Sequence, residues 1–177
     1  MKTFFLCTII SFSRMFFPVQ DDSFIDWSAN KKLIWDDFRK EADPNSPNAA
    51  LTSSIIKYDF SYNSDGGLKF RIHCQFDKNK SWGRIKTDYI LSHEQGHFDI
   101  AEIFARKLNK ALKEYTPTPN VKKEVGKIYV DNMHAFRDMQ DLYDKETDNS
   151  INHPQQAAWL KKIADQLKEL EPYANYN

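Results

Sequence analysis

Between Ile90 and Tyr115 the apolar residues recur at steps of three and four, through Ile100, Ala101, Phe104, Leu108 and Leu112. That period predicts one long amphipathic helix. The constraint comes from what shares its apolar stripe: His93 and His97, one helical turn apart, with Glu94 beside the first. Two imidazoles on a face destined for the interior need partners there, because desolvating them unpaired is unfavourable. Residues four apart are separated by about 40° around a helix, so both rings aim at one point. The residue after the first histidine lies about 100° round, at the flank of that point.

The pattern before Lys86 has a different period. Ser54, Ile56, Tyr58, Phe60 and Tyr62 alternate with polar residues, as do Leu68, Phe70, Ile72, Cys74 and Phe76. Asn63-Ser64-Asp65-Gly66-Gly67 between them is a turn signal, so the two runs are expected to form a hairpin with one apolar face. Further upstream, Trp27, Trp35 and Phe38 are apolar anchors, followed by a loop at Asp43 to Asn48. Thr116-Pro117-Thr118-Pro119 stops the first helix. A second helix is expected through Val125, Ile128, Phe136, Met139 and Tyr143, and a third after Pro154. The fold class expected is α+β: a small, hairpin-based antiparallel sheet packed on two to three helices, with the histidine pair between the first two helices.

The organisation expected is a leader at residues 1–20 and one domain at residues 21–177. Lys2 precedes an apolar run from Phe4 to Phe12, the length of a secretory signal and too short to span a bilayer. An exported protein, periplasmic or extracellular, is therefore expected, with an N-terminal membrane anchor as the alternative and no stable span once the leader is removed. Twenty-five basic residues balance twenty-five acidic ones, which argues against nucleic acid as a partner. Of two cysteines, Cys7 lies in the leader and Cys74 stands alone, so no disulfide framework supports the domain.

His93-Glu94-Gln95-Gly96-His97 matches the short zinc-peptidase signature: two histidines hold the ion, and the glutamate serves as general base toward a water. Zinc is the expected cofactor and a peptide or protein the expected substrate. A catalytic site of this kind needs a third protein ligand. Ile103 stands where the longer metzincin-type signature has a histidine, which disfavours that class. Asp99 and Glu102 fall on the far side of the helix, as solvated groups or partners of neighbouring segments. Glu146 continues the stripe through Phe136, Met139 and Tyr143 and is the preferred third ligand; His153 and a residue near Asn149 are the alternatives. Tyr143 is expected in the core or as an oxyanion donor, His153 as a cap of the third helix, and His73 and His134 in solvent.

The run Leu91 to Glu102, with Tyr143-Asp144-Lys145-Glu146-Thr147 after it, resembles a bacterial family of predicted secreted zinc-dependent proteases, domain of unknown function 922. Trp35-Asp36-Asp37-Phe38, Ser81-Trp82 and Gln156 to Trp159 extend the likeness over most of the chain after the leader. The resemblance implies an exported metallopeptidase. It also implies a histidine just after the Tyr-Asp-x-x-Thr motif, where this chain has Asp148-Asn149-Ser150. A non-catalytic exported binding or structural module that keeps the metal-site-like helix is the rival expectation.

Overall fold

The computed structural model describes residues 22–63 and 67–176; the expected leader and the hairpin turn at residues 64–66 lie outside the described residues. The fold is α+β. Strands β1 (Phe24–Asp26), β2 (Ala50–Leu51), β3 (Ser54–Asn63), β4 (Gly67–Asp77) and β5 (Trp82–Gly83) precede helices α1 (Asp88–Glu114), α2 (Val121–Thr147) and α3 (His153–Glu169). The expected hairpin is β3–β4, in register from Ser54 opposite Phe76 to Asn63 opposite Gly67. Three short strands were not legible in the sequence. β1 pairs antiparallel with the other edge of β4, and the two-residue β2 pairs with β5. Strands of two or three residues leave too little alternation to detect.

Helix α1 is the centre of the molecule. Thr87 Oγ1 caps it by accepting from Ile90 N (3.2 Å), and Pro117 and Pro119 follow its end. The sheet lies on one side, where Phe76 meets Phe98 with ring centroids 5.8 Å apart. Helix α2 lies on another, where Phe136 meets Phe104 at 5.8 Å, and α3 closes the remainder through Trp159 against Tyr143 at 5.4 Å. Because α1 is wrapped this way, several of its polar residues are buried, Asp99, Glu102, Arg106 and Asn109 among them. Asp99 and Glu102 are not solvated but are partners of neighbouring segments. Asp99 accepts from Trp27 Nε1 (2.7 Å) and Gln95 Nε2 (2.8 Å), while Glu102 accepts from Arg106 Nε (2.8 Å) and Tyr176 Oη. Gln95 Oε1 also accepts from Leu33 N (2.8 Å), which docks the N-terminal segment onto the histidine helix. Among the described residues, no helix is long and apolar enough to cross a membrane.

Gly96 decides how closely α2 approaches. A Cβ there would lie 2.5 Å from the hydroxyl oxygen of Tyr143 and 2.9 Å from its Cζ, so the bare backbone of α1 is the seat for that ring. Gly126, in the second turn of α2, has nothing within 4 Å of a Cβ position. Gly96→Ala is therefore expected to lower the unfolding free energy by about 1–3 kcal/mol through overpacking. Gly126→Ala is expected to raise it by up to about 1 kcal/mol through helix propensity. Urea denaturation followed by circular dichroism checks both.

Candidate metal centre

The short loop Thr116–Pro119 and a locked connection, in which Glu124 Oε2 accepts from Thr118 Oγ1 (2.7 Å) and Tyr115 Oη, return α2 antiparallel to α1. Residues that rise along α1 meet residues that fall along α2: His93 faces Asp144, His97 faces Gln140, and Phe104 faces Phe136. The result is a cluster of three donor atoms. His93 Nε2 and His97 Nε2 are 3.2 Å apart, and Asp144 Oδ1 lies 3.1 Å from the first and 3.0 Å from the second. Ligand atoms 2.0–2.1 Å from a tetrahedral zinc ion stand about 3.3–3.4 Å from one another. The triangle is within a few tenths of an ångström of that size, and two nitrogens and a carboxylate oxygen are a donor set that zinc accepts. The residues fit the ion.

Each imidazole is held differently. The amide oxygen of Gln140 can only accept, so His97 Nδ1 donates to it (2.6 Å), which turns the Nε2 lone pair toward the triangle. Gln140 Nε2 in turn donates to the His97 carbonyl (3.0 Å), gripping both ends of that residue. The His93 ring stacks on Tyr143, centroids 4.5 Å apart at 20°, and its buried Nδ1 has no hydrogen-bond partner among the described residues. Tyr143 is fully buried, donates to the His93 carbonyl (3.3 Å), and has its hydroxyl pKa pushed up, first by burial and then by the nearby Glu94 and Asp144 charges. It is a core tyrosine that seats the histidines rather than an oxyanion donor.

Glu94 is 4 % exposed, and its Oε2 has no hydrogen-bond partner among the described residues. It borders a cleft of about 360 Å³ that has the triangle on its floor. Residues 48–54 supply one wall of it. Thr52 Oγ1 ties that wall to α1 by donating to the Glu94 carbonyl (3.2 Å), and Ser81 Oγ ties it to the strands by accepting from Ser53 N (2.9 Å).

The structure does not bring Glu146, the expected third ligand, to the histidines. Glu146 is exposed and turned away, its Oε2 accepting from Trp159 Nε1 (2.7 Å) of α3. The carboxylate that reaches the histidines is Asp144, a quarter-turn from the inward Tyr143. Of the two alternatives, His153 stacks on Tyr89 (4.0 Å) at the start of α3, where Asn152 rather than His153 supplies the cap, and Asn149 lines the cleft without joining the triangle. His134 is exposed as expected, whereas His73 is half-buried. Sequence reasoning missed both Asp144 and Gln140. The signal was present: they form a polar pair four residues apart on α2, the same spacing as the histidines they face.

A model of the family described as "Bacterial protein of unknown function (DUF922)" matches residues 30–153, which include both histidines, Glu94, Gln140 and Asp144. The chain belongs to that family. Searches of curated proteins and of solved structures return no match.

Burial disfavours charge on His97, but the Asp144 hydrogen bond, the Glu94 charge and Gln140 outweigh it and raise its pKa to about 9. A group raised in the folded state from 6.5 stabilises fully below 6.5, and that stabilisation is lost as pH rises through about 9. Protein freed of metal is thus expected to lose thermal stability between pH 6.5 and 9, a loss that His97→Gln removes, measured by calorimetry. Zinc affinity should rise over the same window as the competing proton leaves. In a competition titration with a chromophoric chelator, Asp144→Ala is expected to weaken zinc binding by at least about 100-fold. Gln140→Leu should weaken it about 10–100-fold, and Glu146→Gln should leave it unchanged.

Proposed function

We propose that the chain is an exported zinc-dependent hydrolase of peptide bonds, with His93, His97 and Asp144 as the protein ligands and Glu94 as general base. One observation carries this reading. Three donor atoms converge at the spacing of a tetrahedral face beside a buried carboxylate with an idle oxygen, and all four residues border one cleft. A carboxylate 4 % exposed and lacking a full set of partners is unfavourable unless something that enters the cleft satisfies it.

Zinc held by such a set supplies Lewis acidity toward a carbonyl and brings the pKa of water down to about 7. The residues of the chain do the rest. Gln140 keeps the His97 proton on Nδ1, so that Nε2 is available as a ligand. Tyr143 fixes the plane of His93 by stacking. Glu94 takes a proton from the attacking water as that water's oxygen bonds to the scissile carbonyl carbon. It then delivers the proton to the amine nitrogen as the carbon–nitrogen bond breaks, so its carboxylate is regenerated.

The rival is a non-catalytic exported module. It is supported by the same contacts, since Asp144 Oδ1 lies within hydrogen-bond distance of both rings and an ion pair with a protonated imidazole satisfies them. Elemental analysis of the purified protein and cleavage of a broad peptide library separate the two. The zinc-loaded native protein is expected to cleave and the Glu94→Gln variant to retain zinc while losing at least about 100-fold in rate, because it lacks the base. Undiminished hydrolysis by Glu94→Gln sinks the mechanism, and bound zinc without cleavage favours the module.

A further inference from the structure

The walls of the cleft differ chemically from its floor. Apolar side chains enter from three elements: Leu51 from β2, Ile90 from α1 and Phe136 from α2. Leu51 is 38 % exposed, so it stands at the rim where an incoming molecule first meets the wall. The other un-ionisable lining residues are alanines, serines, a threonine, asparagines and Gln140, all neutral. Among the described residues the ionisable lining groups are His93, Glu94, His97 and Asp144, and no lysine or arginine borders the cleft.

Charge decides what such a cleft can hold. A peptide's free carboxyl end, or an acidic side chain, needs a cation or a fork of donors to replace its water. A free amino end needs a carboxylate that is not already engaged. Asp144 faces both imidazoles, and Glu94 is committed to proton transfer in the hydrolase reading. A dication with two carboxylates and two neutral imidazoles sums to zero, which leaves no charge to recruit either kind of terminus.

From this we infer that the cleft accepts an internal, uncharged segment of a polypeptide, with an apolar side chain against Leu51 and Phe136, and discriminates against chain termini and acidic side chains. The inference rests on the hydrolase reading for the identity of the bound group, and it makes the protein an endopeptidase rather than a trimmer of chain ends. Leu51 is its specificity-determining residue, being both at the rim and open to solvent.

The test separates binding from hydrolysis. Zinc-loaded native protein, whose charge balance is intact, serves as the trap, the probes being kept from cleavage by N-methylation of their internal amide bonds, with affinity read by fluorescence anisotropy. The probes are a dye-labelled hexapeptide of alanine and leucine blocked at both ends, its counterpart with glutamate in place of each leucine, and alanine–leucine tripeptides with one free end. The blocked neutral peptide is expected to bind at least about tenfold more tightly than each of the others. Leu51→Arg should narrow the gap for the glutamate peptide by strengthening its binding. Equal affinities, a preference for free ends, or a Leu51→Arg variant that ignores the glutamate peptide overturns the inference. If the trap holds zinc but no peptide, the inference fails while the metal site stands. If the blocked peptide is preferred yet the native protein cleaves nothing, the cleft chemistry is upheld and the hydrolase reading falls.

Discussion

The ring of Tyr143 resting on the bare backbone of Gly96 is the contact on which the rest of the site depends. It sets the distance between α1 and α2, and it does so at the level of the histidines. From that seat the ring stacks on His93 and stands nearly edge-on to His97, centroids 4.9 Å apart at 69°. Its neighbour Asp144 is carried to within 3.1 Å of both rings. A side chain at position 96 would push the tyrosine out, and the aspartate would leave with it. One glycine in the histidine motif therefore serves a partner helix nearly fifty residues away, in addition to the local turn of its own helix.

Burial gives this arrangement its electrostatic character. The histidine helix is enclosed by the sheet, α2 and α3, so charged groups there lie where water screens them weakly. Each of them has a partner from a distant segment. Glu102 takes Arg106 and Tyr176, Asp99 takes Trp27, and the imidazoles take Asp144 and Gln140. Glu94 is the exception, with an oxygen left over and a cleft beside it. An enclosed acid without a full set of partners stands out against surroundings in which most other polar groups are satisfied.

Much of this was legible in the sequence. The three helices, the hairpin and the histidine pair each follow from a repeating pattern long enough to read. Glu94, His93 and His97 needed only helical geometry to be placed on one side of α1. What escaped were short or relational features. β1, β2 and β5 are too brief to show a period, and the pairing of segment 48–54 against the cleft depends on contacts such as Thr52 to Glu94 that no local pattern encodes. Asp99 and Glu102 face away from the histidine pair as helical geometry requires. Their burial comes from the N-terminal segment and the C-terminal tail, which fold back from far along the chain.

The expectation for Glu146 is the instructive miss, since among the described residues it is Asp144 that joins the two histidines. Following the apolar stripe from Phe136 and Tyr143 leads to Glu146, but the stripe marks what packs into the core, and a polar cluster bordering a cleft lies at the stripe's edge. Helical geometry places Asp144 about 100° from Tyr143, toward that edge, while Glu146 falls about 60° the other way, where Trp159 of α3 meets it. Antiparallel register supplies a second constraint. Two helices joined by a short loop oppose residues at roughly equal distances from its middle, and the break at Thr116–Pro119 puts the opposites of His93 and His97 within about two residues of Asp144 and Gln140. The spacing of four on one helix calls for a spacing of four on the other, and Gln140 with Asp144 is the polar pair that answers it. A polar partner that comes from a neighbouring helix is thus found by register and flank together, because the side that packs into the core is not the side that faces the cleft.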